Sequence, residues 1–281
     1  MLQERVSSDV YVFTSEVYVQ VTAGVIVTPQ GAVVIDTLPV PVESRAMAQF
    51  IARRCPAGVR YVILTHYHAD HTFGAYLYPS SACVIAHQQC RAFLADRGQR
   101  ALEEAKAENQ ELAEVTLRLP DLTLDAGEMD LLIGRRRMRI LWTPGHAADV
   151  LSVFLEDDHV LFASDTIMPV PVILDGDPDT LKASLQRLLA LEPDTIVQGH
   201  GEVILRGEVA QVIRNSIAYL EKIQDLAHKA LKKGKKRETL MSVNVESCGL
   251  SRVALDGQAQ RLHAANLLAI YDRLAQEQGH G

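Results

Sequence analysis

Cysteine is scarce in this chain and badly spaced for a framework. Its four residues among 281, Cys55, Cys83, Cys90 and Cys248, form no C-x-x-C pair. That excludes a disulfide-built fold and a closed thiolate zinc site, and it points to free, mostly buried thiols in a cytoplasmic protein. Long apolar runs are missing too. None reaches the length of a membrane span, and the first residues do not pair a basic start with an apolar core, so no membrane association is expected. Positive charge is short, with 28 Lys and Arg against 35 Asp and Glu and a formal net charge of −7. A nucleic-acid partner is therefore not expected, although a local basic patch is compatible with that balance. What the chain has in quantity is apolar residues, 48% of the total, enough for a sizeable core and too many for disorder. Its length suits one large domain or a domain with a helical appendage.

The pattern along the chain is strand-rich at first. Val10–Phe13, Val17–Val21 and Gly24–Val27 read as strands, and after a turn at Pro29-Gln30-Gly31 comes Ala32–Ile35, ending at Asp36. An amphipathic helix is predicted over Val42–Arg53, then a buried strand over Tyr61–Thr65 and another over Ala82–Ala86. Residues 88–114 are helical in composition, with a break near Gly98. In the second half, Met138–Trp142 is a strand, and Leu151–Leu155 with Val160–Ala163 reads as a hairpin turning at Glu156-Asp157-Asp158. Asp177-Pro178 starts a helix running to Leu191, Thr195–Val197 is a last short strand, and helices follow from about 208 to 233 and 258 to 276.

One stretch resists a packing explanation. Thr65-His66-Tyr67-His68-Ala69-Asp70-His71 places four strong metal ligands within six residues, directly after a predicted buried strand. His66 and His68, two apart, point to one side of an extended segment, and a tight turn is needed to bring Asp70 and His71 beside them. Nitrogen and oxygen ligands suit zinc, iron or manganese. His146, Asp165 and His200 also follow strands immediately, and side chains gathered at one sheet edge from distant sequence positions are how a sheet scaffold builds a site. Gly145 and Gly199 precede two of them, consistent with turns that aim each imidazole inward. Seven ligands exceed one open zinc site and suit two ions sharing a carboxylate.

In His66-Tyr67-His68-Ala69-Asp70-His71, Thr143-Pro144-Gly145-His146, Ser164-Asp165 and Gly199-His200-Gly201 the sequence resembles the metallo-β-lactamase superfamily over about residues 10–205. The resemblance implies an α/β fold, a four-layer αβ/βα sandwich with metals at one edge of the sheets. It divides the chain into a catalytic domain, 1–207, and a helical C-terminal extension, 208–281, packed on that domain. It implies that His66, His68 and His146 hold one divalent ion, that Asp70, His71 and His200 hold another, and that Asp165 bridges them, with zinc first and iron or manganese as alternatives. The implied chemistry is attack of a metal-bridging hydroxide on the carbonyl of a small-molecule thioester, ester or lactone, with Asp70 as catalytic residue orienting the nucleophile and shuttling a proton. The alternative on the same fold is a mononuclear non-haem iron oxidoreductase, similar to the persulfide dioxygenases. Ser164 stands where this family commonly has Gly, and Gln198 where it commonly has Pro. Neither change removes a ligand.

Other residues have blander readings. Asp36 either hydrogen-bonds the histidine loop or begins a turn. His87 ends a strand and is either a supporting residue or an ordinary strand-end histidine. His159 is expected in a solvated turn, and His228, His263 and His280 have no ligand partners nearby in sequence. Arg135-Arg136-Arg137 with Arg139 marks an exposed hairpin. Lys232-Lys233-Gly234-Lys235-Lys236-Arg237 reads as a helix C-terminus with favourable cations, or as a basic rim for an anionic substrate. The helical tail can cap the site, shape the pocket or support a homodimer.

Overall fold

The apolar runs pair into two sheets in the structure, a computed structural model that describes residues 1–279; His280 lies outside the described residues. The first sheet takes β1 (Leu2–Ser7), β2 (Val10–Thr14), β3 (Thr22–Ile26), β4 (Ala32–Ile35), β5 (Val59–Ile63), β6 (Cys83–His87) and β7 (Leu122–Leu124) in chain order. β1 to β4 are antiparallel, and β4 to β7 are parallel. The helix α1 (Pro41–Arg54) makes the crossover from β4 to β5. The second sheet runs β13 (Ile204–Leu205), β12 (Thr195–Gln198), β11 (Val160–Ser164), β10 (Leu151–Leu155), β9 (Arg136–Trp142), β8 (Glu128–Ile133).

Side-chain alternation sorts the core into layers, because successive strand residues face opposite sides. Val10, Val12, Val33, Ile35, Ile63 and Ile85 of the first sheet pack on Met138, Ile140, Val153 and Phe162 of the second. Their strand neighbours Phe13, Val34, Val62 and Val84 turn outward onto Met47, Phe50 and Ile51 of α1. The far face of the second sheet, with Leu141, Phe154 and Leu161, packs on α5 (Pro178–Leu189), α6 (Val209–Lys232) and α7 (Ala259–Gly279). Strands buried on both faces explain why these runs are apolar without a polar alternation. Each fully buried Val, Leu or Ile contributes roughly 1.5–3 kcal/mol. The order is helices, sheet, sheet, helices, which is the four-layer sandwich expected.

Several elements differ from the sequence reading. Val17–Val21 is not a strand. Val19 and Gln20 adopt left-handed φ angles of 41° and 52°, Ser15 Oγ accepts the amides of Val17 and Tyr18, and Val21 keeps a single bridge to His200. Tertiary demand overrides the β-propensity of Val-Tyr-Val there. β1, β7 and β8 escaped the apolar pattern. β1 is a polar edge strand, half-buried at best. Residues 88–108 form one helical path: α3 (Gln88–Phe93), a π turn at Leu94–Gly98 in place of a break, and α4 (Gln99–Glu108). The remaining short helix, α2 (Ala69–Thr72), supplies the turn demanded for Asp70 and His71. The four cysteines are free and mostly buried. No helix among the described residues is long and apolar enough to cross a membrane.

Candidate metal centre

All seven predicted side chains meet where the two sheets end side by side. β5 stops at Ile63, and the backbone joins the sheets there, Leu151 N–H donating to Thr65 O at 2.8 Å. His66 and Tyr67 then lie in a bend instead of an extended segment, so His66 and His68 converge through different nitrogens, Nε2 and Nδ1, 2.9 Å apart. The ligand atoms of His66, His68, His146 and Asp165 all lie within 4.8 Å of one another, as do those of Asp70, His71 and His200. Asp165 links the groups: its Oδ2 is 3.3 Å from His146 Nε2 and 3.6 Å from His200 Nε2, and its Oδ1 is 3.3 Å from His71 Nε2. Asp70 Oδ2 lies 3.3 Å from His200 Nε2.

Every imidazole is anchored by its other nitrogen. His71 Nδ1–H donates to Asp36 at 2.8 Å, His146 Nδ1–H to Val172 O at 2.9 Å and His200 Nδ1–H to Val19 O at 2.8 Å. His68 Nε2 faces Asp175 Oδ2 at 3.3 Å. Thr65 Oγ1 donates to Asp36, so the hydroxyl must accept from His66 Nδ1 at 3.1 Å and from Ser164 Oγ at 2.7 Å. Such partners set the tautomer and leave the inward nitrogens free for a cation. Asp36 thus belongs to the histidine loop and is more than a turn residue.

Two glycines make the approach physically available. Gly145 has φ 138° and packs on Leu181, where a Cβ would come within 2.3 Å of the backbone, so the Thr143–His146 loop closes over the start of α5. Gly199 needs space rather than a special φ: a Cβ there would sit 1.8 Å from Asp165 Oδ1.

The electrostatics divide the histidines. Burial holds His66 well below its ordinary pKa and takes His146 down to about 4. Burial also works against protonating His71 and His200, but the charges of Asp165 and its neighbouring carboxylates prevail, raising His71 well above its usual value and His200 to about 10. Burial pushes the other way on Asp70 and Asp165, yet the charges of His71 and His200 hold both below the usual carboxylate range. Without a cation, protons on two histidines therefore balance two buried carboxylates, and a cation would displace them. His71 Nε2 and Asp165 Oδ1 are buried with no hydrogen-bond partner. A partnerless imidazole nitrogen facing a partnerless carboxylate oxygen fits a divalent metal, as does the all-nitrogen and oxygen donor set.

Asp175, Asp149 and the carbonyls of Val19 and Val172 were not singled out from sequence. Asp175 accepts from Tyr67 Oη at 2.9 Å as well as facing His68, and that hydrogen bond from His68 helps draw its pKa down to about 2. Its only signal was an acid just ahead of the Asp177-Pro178 helix start. Asp149, buried and raised to about 6 by burial, accepts Tyr67 N–H at 2.8 Å; three residues past His146, it had a positional cue. Backbone acceptors carry none. His87 proves structural: its Nδ1 accepts Gln89 N–H to cap α3, its Nε2–H donates to Asp125 O at 2.8 Å, and its ring stacks on Trp142. His159 and His228 are exposed, and His263 is buried against Tyr219. The Arg135–Arg139 hairpin is ion-paired on the surface. Lys232–Arg237 is exposed at the end of α6, with Arg237 bonded to Asp272 by two nitrogens.

Residues 18–200 match the sequence model of the metallo-beta-lactamase superfamily. The chain is similar to the thioesterase pkgB of Emericella nidulans, 28% identical over 168 residues, which are 59% of this chain and 42% of that protein. It is also similar to a hydroxyacylglutathione hydrolase of Rhodopseudomonas palustris, 30% identical over 135 residues, 47% of this chain and 44% of that one. These matches thus span less than half of either relative's length. Among solved structures, the sec-alkylsulfatase Pisa1 from Pseudomonas sp. superposes with a TM-score of 0.78 at 16% identity, covering 96% of this chain and 50% of that one. A metallo-beta-lactamase family protein from Thermus thermophilus gives 0.70 at 21% identity, covering 98% and 95%. At these identities the structures speak to fold alone.

Proposed function

Because the chain belongs to the metallo-beta-lactamase superfamily, we propose that it is a metal-dependent hydrolase holding two divalent cations, zinc before iron or manganese, and acting on a small-molecule thioester, ester or lactone. The observation that carries this is the pair of adjoining ligand groups, His66, His68, His146 with Asp165 and Asp70, His71, His200, each within 4.8 Å. Divalent ions held by these residues would supply a water nucleophile at neutral pH and polarise a scissile carbonyl. The chain's own residues do the rest. Asp70 stays ionised and faces His200, so it orients the attacking water and passes its proton toward the leaving group. Asp36, Asp175, Val19 and Val172 hold four imidazoles by their outer nitrogens, so that each inward nitrogen is placed to bind a cation, which displaces the protons on His71 and His200. The names of the thioesterase and hydroxyacylglutathione hydrolase relatives support thioesters as the first class to try. Free thiols fit a reducing cytoplasm, and the helices from residue 208 are read as packed on the catalytic unit.

The test is metal identity and stoichiometry on protein purified without chelator or added metal, followed by a panel of thioesters, lactones and esters. Two zinc ions per chain with thioester or ester turnover is the expected result. One iron, with oxygen uptake on a persulfide, would move the assignment to the mononuclear oxidoreductase. No metal, even after reconstitution, would overturn it.

A further inference from the structure

The π turn at Leu94–Gly98 interrupts an otherwise regular helical path. π turns are rare and are found frequently at functional sites. This one borders a cleft of about 240 Å³ that opens beside His68. Phe73, Phe93, Leu94 and Leu117 make its walls, with Tyr67 and His68 at the metal-centre end. Tyr67 Oη and His68 Nε2 are both turned to Asp175, so these residues offer ring surface to the cleft while their polar tips are engaged.

Arg97, from the π turn, also lines the cleft. Its guanidinium carbon lies 4.6 Å from the ring centroid of Phe93 and 5.6 Å from that of Tyr67. The side chain is exposed, and no carboxylate pairs with it among the described residues, whereas Arg100, which also lines the cleft, faces Glu104, another lining residue, at 3.9 Å and is neutralised by it. A guanidinium resting on aromatic faces is held in plane with its N–H groups uncommitted. One unpaired planar cation matches one carboxylate, two parallel N–H groups meeting its two oxygens.

Resting on the hydrolase reading above, we propose that this cleft receives an apolar arm of the substrate, several carbons or one ring long, whose far end carries a carboxylate bound by Arg97. The substrate class is then an ester or thioester that is anionic away from the scissile bond. The metal centre takes the carbonyl, the aromatic walls take the arm, and the arginine reads the charge. The basic run at Lys232–Arg237 contributes no residue to this cleft.

The experiment is a calorimetric titration of the metal-loaded protein with adipic acid monomethylamide and with its uncharged counterpart, N-methylhexanamide. The wild type is expected to bind the monoamide roughly fivefold to tenfold more tightly, as a partly exposed charge pair warrants. Arg97→Gln should bring that ratio close to one, and Leu117→Trp, which fills the cleft, should weaken both ligands. Equal binding of the two amides by the wild type, a ratio that survives Arg97→Gln, or unchanged affinities in Leu117→Trp would each overturn the assignment. The hydrolase reading fails separately: a protein that shows the ratio yet cleaves neither the ester nor the thioester of adipic acid keeps the cleft and loses the reaction. Cleavage without the ratio does the reverse.

Discussion

Asp36 accepts the Nδ1 proton of His71 at 2.8 Å with one carboxylate that also takes the amide and hydroxyl of Thr65, both at 2.8 Å. Burial pushes the Asp36 pKa up, and the bonds from His71 and Thr65 oppose that push. The arrangement fixes His71 with Nε2 toward Asp165. Asp36→Ala should therefore lower metal affinity by about 10–100-fold, the usual cost of losing such a partner. Competition with a chromophoric chelator measures it. An affinity within a factor of two of the wild type would show that the His71 tautomer is set by something else.

Asp70 faces His200 at 3.3 Å and His71 at 3.8 Å across the site. If it orients the nucleophile, Asp70→Ala cuts turnover by roughly 10²–10⁴-fold. Thermal melting and metal content of the variant, measured alongside, separate loss of chemistry from loss of structure or of the ion. Near-normal turnover would remove Asp70 from the mechanism.

Ser164 sits at φ 49°, in the left-handed region that favours glycine, immediately before Asp165. Its hydroxyl compensates by donating to Thr65 at 2.7 Å, which in turn accepts from His66. Ser164→Ala keeps the unfavourable backbone and loses the bond, and should cost about 1–2 kcal/mol. Ser164→Gly loses the same bond but relieves about 1 kcal/mol of left-handed strain, so it should lie nearer the wild type. Denaturant unfolding of both variants decides: an alanine variant as stable as the glycine one would mean that the φ angle carries no strain here.

Convergence of the seven side chains was legible because their residue types cluster at predicted strand ends, and a sheet edge collects strand ends whatever the loop details. The layers were legible for the same reason, since runs such as Ala32–Ile35 and Leu151–Leu155 are apolar on both faces. What escaped was held by backbone. The loop at Val17–Gln20 carries β-forming residues, yet its left-handed turn exists to aim the Val19 carbonyl at His200, and a carbonyl has no residue code. Asn266 escaped because its backbone partners lie 95 and 93 residues away, and no local pattern marks an amide that brackets Pro171 and Ile173.

That amide gives the helical tail a route to the metal centre. Asn266 Nδ2 donates to Pro171 O at 2.6 Å and to Tyr219 Oη at 3.1 Å, its Oδ1 accepts Ile173 N–H at 3.1 Å, and the carbonyl between them, on Val172, holds His146. Tyr219 Oη also lies 3.0 Å from His263 Nδ1, and a neutral imidazole there accepts the tyrosine's hydrogen. Burial lowers the His263 pKa from 6.5 to about 4. A histidine with a depressed native pKa contributes stability that is whole above the unfolded value and is lost as pH falls through the native one. The window is therefore from about 6.5 down to about 4, and the loss is on the order of 1–2 kcal/mol after allowing for solvent near the ring. His263→Gln, whose side-chain carbonyl can take the tyrosine's hydrogen bond without titrating, should show a shallower fall in unfolding free energy between pH 7 and pH 4. Metal affinity should follow the same difference, since the network ends on His146. Identical pH slopes in the two proteins would mean that His263 titrates alike in the native and unfolded chain, and that the tail is coupled to the site by packing alone.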